Sequence, residues 1–385
     1  MIWALPPLFF LLTARVPQTP APQDSFQQIA RQAEEARTGD RLPEAIRLYR
    51  QGLKLRPSWS QGWWGLGSIY YDQDRFPEAL EAFQHFIATS KNDVAPAYAF
   101  LGLCEYETHD YARASEHFGL WVRKGLPGNT QLIEVASFHW ALLLTRGGQF
   151  VQALFLLEEK AKRYGVSPPL TEAMGLASLR MKHLPEDYPP ERREMVWLAG
   201  QASAYGSLHD FDRAHEFAGR LVAHYGQEPN VHYLRGTIYN FEKKTEEATE
   251  EFKQELSVSP SHAPAMIQLA FIHLQDSLLE EAMSMAKQAI ALEPKDPLAR
   301  YALGRVLLAT ERFQEGASEL EVAKELAPAS AKVRFQLARA YRRLGRRADA
   351  ERESAMFEAL KDKAEVLATP EEMLAGTPEG RGKAK

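Results

Sequence analysis

The side chains that could carry chemistry in this 385-residue chain are eleven histidines, one cysteine and many carboxylates. A nucleophilic thiol needs neighbours that stabilise its thiolate. Cys104 sits instead in the apolar run AFLGLCEY, the setting of a buried structural thiol. A single cysteine excludes both an intramolecular disulfide and a cysteine-based metal site. A helical histidine metal site needs two imidazoles on one face, and no two histidines stand four residues apart. His232, His262 and His273 share one half of the chain, but their helical positions do not converge, so each reads as a solvated or internally satisfied imidazole. The carboxylate-rich run EKKTEEATEEFKQE reads as a solvated helix face with pairing across one turn. The sequence holds no phosphate-binding glycine loop, dinucleotide fingerprint, HExxH or GxSxG. The expectation is therefore a non-enzymatic chain with no cofactor and no metal.

Composition points to globular packing, with 45% hydrophobic and 25% charged residues. The net charge of −5 lacks the basic excess of a general nucleic-acid binder. A chain this long either divides into domains or forms a repeat array, which lengthens without enlarging one core.

Small residues decide for the array. They stand twelve apart in nine pairs: Ala33 and Ala45, Gly67 and Ala79, Gly102 and Ala114, Ala141 and Ala153, Ala202 and Ala214, Gly236 and Ala248, Ala270 and Ala282, Gly304 and Gly316, Ala338 and Ala350. The second members recur every 34 residues from Ala45 to Ala79 and again from Ala214 through Ala350. Two antiparallel helices of about 12–15 residues with two turns fill that period. Small residues let the two helices of a unit approach where they cross. Bulky residues such as Trp63, Leu66, Tyr70 and Phe83 fill the space beside the crossing. Pro43 and Pro77 fall in the first turn of a second helix, where the missing N–H costs nothing. Pro57, Pro260, Pro294 and Pro328 close second helices.

These residues resemble the tetratricopeptide repeat: Trp63-x2-Leu66-Gly67-x2-Tyr70 followed by Ala79-x3-Phe83, and again Gly236, Tyr239, Ala248, Phe252 and Pro260. The resemblance covers residues 26–364. It implies an all-α, right-handed α-solenoid of about nine helix-turn-helix units. The unit at 134–167 departs most, with Ser137 and Trp140 at the usual Trp and Leu positions. Ala153 and Ala214 are 61 apart, so the array is interrupted. The insertion at 168–194 is expected to hold one orphan helix, Thr171 to His183, and the loop LPEDYPPERRE. Such a loop is long enough to run back along the helix and restore the up-down alternation. Two lobes follow, 26–167 with about four repeats and 195–364 with five. A final helix from Arg347 to Leu367 caps the stack, and residues 365–385 read as a disordered tail.

In this family the first helix of each unit lines the inner groove at its second, fifth, ninth and twelfth positions. Carried over, the resemblance implies a peptide-binding groove of Asn230, Tyr233, Asn240, Phe271, Tyr301, Arg305, Lys332, Phe335, Arg339 and Arg342. A second aromatic patch comprises Trp64, Tyr71 and Tyr106. Aromatic residues leading into a basic end suit an extended protein or peptide partner with acidic groups. The competing reading is that Tyr301 and Phe335 pack between repeats while the arginines pair with Glu351, Glu353 or Glu358.

Residues 1–14, MIWALPPLFFLLTA, carry no charge and are too short for a spanning helix, and the stretch that follows to residue 25 is a Pro-rich linker. They fit the apolar core of a secretory signal with cleavage after Ala14, although no Lys or Arg precedes them. The expectation is a scaffold or adaptor exported by a bacterium. The alternative is an envelope assembly factor that touches a membrane only through residues 1–14. A carbohydrate-binding or enzyme-associated subunit, with Trp63 and Trp64 stacking on sugars, is a weaker third reading.

Overall fold

Helix pairs follow one another along the chain at the period of the small residues. The computed structural model describes residues 22–361, except 92, 93 and 127, and places nineteen α-helices among them. The first helix of each pair is helix A and the second is helix B. Before the insertion the pairs are α1 (Pro22–Thr38) with α2 (Leu42–Leu55), α3 (Ser60–Asp72) with α4 (Phe76–Thr89), α5 (Ala95–Glu107) with α6 (Tyr111–Arg123), and α7 (Thr130–Arg146) with α8 (Phe150–Tyr164). The insertion holds α9 (Pro168–Ser178). After it come α10 (Arg193–Ser207) with α11 (Phe211–Tyr225), α12 (Val231–Phe241) with α13 (Thr245–Val258), α14 (Ala263–Gln275) with α15 (Leu279–Leu292), α16 (Pro297–Ala309) with α17 (Phe313–Leu326), and α18 (Ala331–Arg343) with α19 (Arg347–Lys361).

Two compact units meet between Ala136 and Ser137, inside α7. The lobes expected from the repeat spacing divide at the insertion instead. Helix α1 begins at Pro22, four residues inside the expected linker, because proline is tolerated in a first helical turn. Residues 1–14, the tail 365–385 and the expected run of the last helix to Leu367 lie outside the described residues.

The helix crossings explain the small residues in two ways. At the 304/316 pair, a Cβ on Gly304 would stand 3.3 Å from the Gly316 carbonyl oxygen, and one on Gly316 3.1 Å from the Gly304 oxygen. Beside the crossing, a large side chain sixteen residues on covers the small residue of helix A. A Cβ on Gly67 would stand 2.9 Å from the Phe83 ring, on Gly102 2.8 Å from Phe118, and on Gly236 2.7 Å from Phe252. Overfilling such contacts costs roughly 1–3 kcal/mol.

Turns repeat as strictly as crossings. Asp40, Asp74, His109, His209, Lys243, Ser277 and Glu311, with Gly148 and Gly345, all take positive φ at the end of helix A. The next residue donates its N–H to the carbonyl five residues back, as Arg75 does to Tyr70 at 2.8 Å and Arg312 to Leu307 at 2.8 Å. Between repeats, Pro57, Pro260, Pro294 and Pro328 stand two residues past the end of helix B. The Trp63 indole donates to the Pro57 carbonyl at 2.8 Å, and Arg300 and Arg334, at the same repeat position, donate to Pro294 at 3.3 Å and Pro328 at 2.9 Å. Tryptophan and arginine therefore do one job here, tying helix A to the preceding turn.

The same two arginines also reach helix B. Arg300 pairs with Glu319 at 2.8 Å and Arg334 with Glu353 at 2.8 Å, each nineteen residues on, as His232 does with Glu251 at 2.7 Å. In the intervening repeat these two positions hold Met266, in the apolar core, and Met285, packed against it.

The insertion differs from expectation in three respects. Its helix spans Pro168–Ser178 rather than Thr171 to His183. It ends like a helix A, with Arg180 at positive φ and the Met181 N–H donated to Leu176 O at 2.9 Å. It also runs antiparallel to α10, with Thr171 opposite Gly200 and Gly175 opposite Val196. The loop therefore makes no return along the helix, and alternation continues through α9 and α10. Gly175 and Gly200 let the backbones approach so closely that a Cβ on either would overlap a carbonyl oxygen across the crossing. Gln201 donates to the Thr171 hydroxyl there at 2.9 Å, and Tyr188 of the loop donates to Glu172 at 2.6 Å. Packed between α9 and α11, α10 is apolar or small on most of its surface, LAGQASAYGS.

Candidate functional site

The expected groove residues of the later repeats fall on consecutive A helices, and burial divides them. Phe271 on α14 and Tyr301 on α16 are buried, with ring centroids 6.0 Å apart. Tyr301 shares hydrogen bonds with Gln336 of the next A helix and with Arg305, and burial pushes its hydroxyl pKa up. Tyr233, one of the same set, is buried on α12, and its hydroxyl bonds Gln268 of the next A helix. Asn240 reaches the same Gln268 at 3.4 Å. Tyr233, Phe271 and Tyr301 are therefore packing residues and not rings offered to a partner. Their hydroxyl and ring edges are met by the following repeat. Asn230 turns the chain into α12 at φ +72, and its side chain bonds His262 at 2.9 Å.

Phe335 holds the repeat position of Tyr301 on α18, the last A helix described. With no further A helix among the described residues, it is 42% exposed and packs beside Phe357, at 5.4 Å between centroids.

Of the arginines, Arg339 and Arg342 are exposed and Arg305 is half-buried. The Arg305 guanidinium lies over the rings of Phe271 at 5.7 Å and Tyr301 at 5.8 Å. Arg339 lies over Phe335 at 6.0 Å and donates to Gln336 at 3.1 Å. Arg342 donates to the Ser354 hydroxyl at 2.7 Å. Among the described residues none of the three forms an ion pair. The expected pairing with the last helix falls elsewhere: Glu353 is buried and holds Arg334 at 2.8 Å and Lys324 at 3.2 Å. Burial alone would raise its carboxyl, but these two donors outweigh it and hold the pKa down. Lys332 is half-buried on the first turn of α18, beside Tyr301 and Pro297.

The second aromatic patch is a packed cluster. Trp64 meets Phe83, Phe86 and Phe100 at 5.5, 5.1 and 5.6 Å, and Tyr71 meets Phe76 and Phe100 at 6.1 and 5.1 Å. Burial pushes the Tyr71 hydroxyl up to about 12. Tyr106 is buried against Tyr111 at 5.4 Å. Phe100, the hub of the cluster, carries no motif position in the repeat pattern.

The titratable residues are held as structure. Burial lifts the Cys104 thiol pKa to about 12, so it is protonated. His262 caps α14, its Nδ1 accepting the Ala265 N–H at 3.1 Å, so the neutral ring carries its proton on Nε2, toward Asn230. Burial, assisted by the charge of Arg180, lowers its pKa to about 4. The Glu255 carboxylate, 3.7 Å from His262, would favour the charged ring. Its oxygens instead accept the Asn230 and Tyr233 N–H groups at 2.8 and 3.1 Å, capping α12, and Nδ1 is already an acceptor, so the neutral ring prevails. Among the described residues no three His, Cys, Asp or Glu side chains gather as a metal site. No helix among them is long and apolar enough to cross a membrane.

The buried glutamines are the residues that the sequence reading missed. Gln268 and Gln336 occupy one repeat position, and each holds the tyrosine 35 residues earlier. That recurrence is visible in the sequence once the repeat frame is drawn.

A family model described as "Tetratricopeptide repeat" matches residues 31–93 and 267–331. No curated protein matches the chain. Among solved structures, one described as "MamA RS-1 ArsTM double mutant" is similar at 18% identity, covering 44% of this chain and 96% of that one, with a TM-score of 0.40. "MamA 41-end from Desulfovibrio magneticus RS-1" is similar at 18% identity, covering 44% and 97%, with a TM-score of 0.40. "Crystal structure of MamA protein" is similar at 17% identity, covering 45% and 94%, with a TM-score of 0.38. With its paired helices, recurrent turns and matched repeat segments, the chain is a tetratricopeptide-like, all-α repeat protein.

Proposed function

We propose that this chain is a non-enzymatic scaffold that binds an extended, acidic segment of a partner protein along the A helices α14, α16 and α18. One observation carries the reading: Arg305, Arg339 and Arg342 sit on the A helices of consecutive repeats without a carboxylate, while Arg300 and Arg334 on the same helices are neutralised. A guanidinium poised over a ring is pre-oriented for a carboxylate, and each charge-assisted bond is worth about 1.5–3 kcal/mol. The Phe271 and Tyr301 rings lie beneath Arg305, and the Phe335 ring lies beneath Arg339.

The test is a selection of displayed random peptides on the full chain, followed by affinity measurements. Enrichment of Asp and Glu, weakening with salt, and loss in the Arg305→Gln/Arg339→Gln pair would support the reading. Selected peptides without acidic residues, or unchanged binding by the double variant, would remove it.

The attachment reading follows from residues 1–14. The uncharged, apolar run supports a scaffold held at a membrane surface, with a cleaved export signal as the alternative. N-terminal sequencing of the native protein in soluble and membrane fractions separates the two. An intact Met1 in the membrane fraction supports attachment, and a mature start near Arg15 in a soluble fraction supports export.

A further inference from the structure

The insertion builds a cleft that the arginine row does not use. Helix α10 touches both α8 and α12, and the four helices α8, α9, α10 and α12 surround a cavity of about 70 Å³ that opens to solvent. That is room for a side chain to enter, well short of a small-molecule pocket. Its walls are apolar, with Phe150 and Leu154 from α8 facing Ile238 and Phe241 from α12. Phe241 is 45% exposed. The small residues Gly206 and Ser207, at the C-terminal end of α10, form the floor of the cleft.

Polar groups enter this apolar space from the end of α9. The Ser178 hydroxyl lines the cleft, is 4% exposed and has no hydrogen-bond partner. A buried polar atom left unsatisfied costs about 1–3 kcal/mol, a cost that an acceptor entering the cleft would offset. Arg180, held at the positive-φ turn two residues on, lies over the Phe150 ring at 4.8 Å and forms no ion pair among the described residues. Glu158 lines the cleft from α8, two turns beyond Phe150, and burial lifts its carboxyl to about 7.

We propose that this cleft is an anchor site for a bulky apolar side chain of a partner protein segment. A carboxylate adjacent in that segment pairs with Arg180, and a backbone carbonyl accepts the Ser178 hydroxyl. Apolar walls, an unpaired guanidinium and an unsatisfied donor are together what an apolar residue beside an acidic one would satisfy. The proposal rests on the scaffold reading only for the class of partner, since none of its residues belongs to the arginine row.

The test uses the same selection of random peptides on the full chain, with cleft variants compared by affinity. Ser207→Phe fills the floor, Phe241→Ala removes an exposed wall and Arg180→Gln removes the charge. The expected result is enrichment of Leu, Ile, Met or Phe next to Asp or Glu. Binding should weaken about tenfold or more in Ser207→Phe and Phe241→Ala, and Arg180→Gln should keep the apolar preference but lose the acidic neighbour. Should Ser207→Phe fail to fold, judged by its thermal transition, Phe241→Ala decides. Unchanged affinity in Phe241→Ala, an acidic preference that survives Arg180→Gln, or a selection without an apolar residue overturns the proposal. Peptides lost in Arg305→Gln/Arg339→Gln but kept by the cleft variants would overturn the cleft and leave the arginine row standing. The reverse pattern would overturn the arginine row and leave the cleft.

Discussion

Gly175 of α9 lies directly against the backbone carbonyl of Val196 on α10, with no room for a Cβ between the two helices. Backbone cannot step aside as a flexible side chain can, so Gly175→Ala must separate the helices. The expected cost is about 3 kcal/mol or more, read from chemical denaturation. Gly219→Ala on α11 is the control. Nothing lies within 4 Å of its added Cβ, and the better helix former should leave stability unchanged or raise it by up to about 1 kcal/mol.

His262 should make stability pH-dependent in a defined window. Its folded pKa of about 4 lies below the ordinary imidazole value of about 6.5, so below pH 6.5 the unfolded chain takes up a proton that the folded one refuses. The stabilisation is complete above pH 6.5 and is lost as pH falls toward 4, by up to about 3 kcal/mol. Asparagine also caps helices, so His262→Asn should flatten the stability profile between pH 4 and 6.5. A wild-type profile already flat across that window would contradict the neutral, capping imidazole.

Glu353 tests whether the buried ion pair is replaceable. Glu353→Ala leaves Arg334 buried without its partner and should cost about 3–5 kcal/mol. Arg334→Met with Glu353→Met copies the Met266 and Met285 arrangement two repeats earlier and should recover much of that loss. Thermal unfolding of the single and double variants gives the comparison. A double variant no more stable than the single one would mean that Arg334 matters chiefly through its bond to Pro328.

Ser277 ends α14 in the left-handed conformation that Gly148 and Gly345 adopt at the same repeat position. Ser277→Gly should therefore stabilise the chain by about 1 kcal/mol, measured by denaturant midpoint. The same change at Ser284, inside α15, should destabilise by about 0.5–1 kcal/mol.

Gln336 is buried, and it joins Tyr301 to Arg339. Gln336→Leu leaves the Tyr301 hydroxyl short of a partner and frees Arg339 to move. A loss of about 1–3 kcal/mol in stability is expected. Peptide affinity should fall with it, because the guanidinium loses its fixed direction. Stability lost with affinity unchanged would detach Arg339 from the binding face.

The sequence by itself determined the helices, their pairing and the turns, because those depend on neighbours within one 34-residue unit. Gly67 and Phe83, Trp63 and Pro57, Pro43 and the start of α2 all act over a few turns of one chain segment, so their spacing records their contacts. The extra helix was legible as a break in that spacing. Its direction was not, since Gly175 and Gly200 meet across a loop whose length allows either course. Only the tertiary structure decided which aromatic residues are covered. Tyr301 and Phe335 share a repeat position, yet the next A helix buries the first, and the end of the described array leaves the second open. It also decided which arginines are free of carboxylates. Arg300 and Arg305 lie on one helix, and the carboxylate that neutralises the first, Glu319, belongs to another. The cleft between α8 and α12 arises in the same way, from four helices whose residues are far apart in sequence and whose unfilled space no local pattern records.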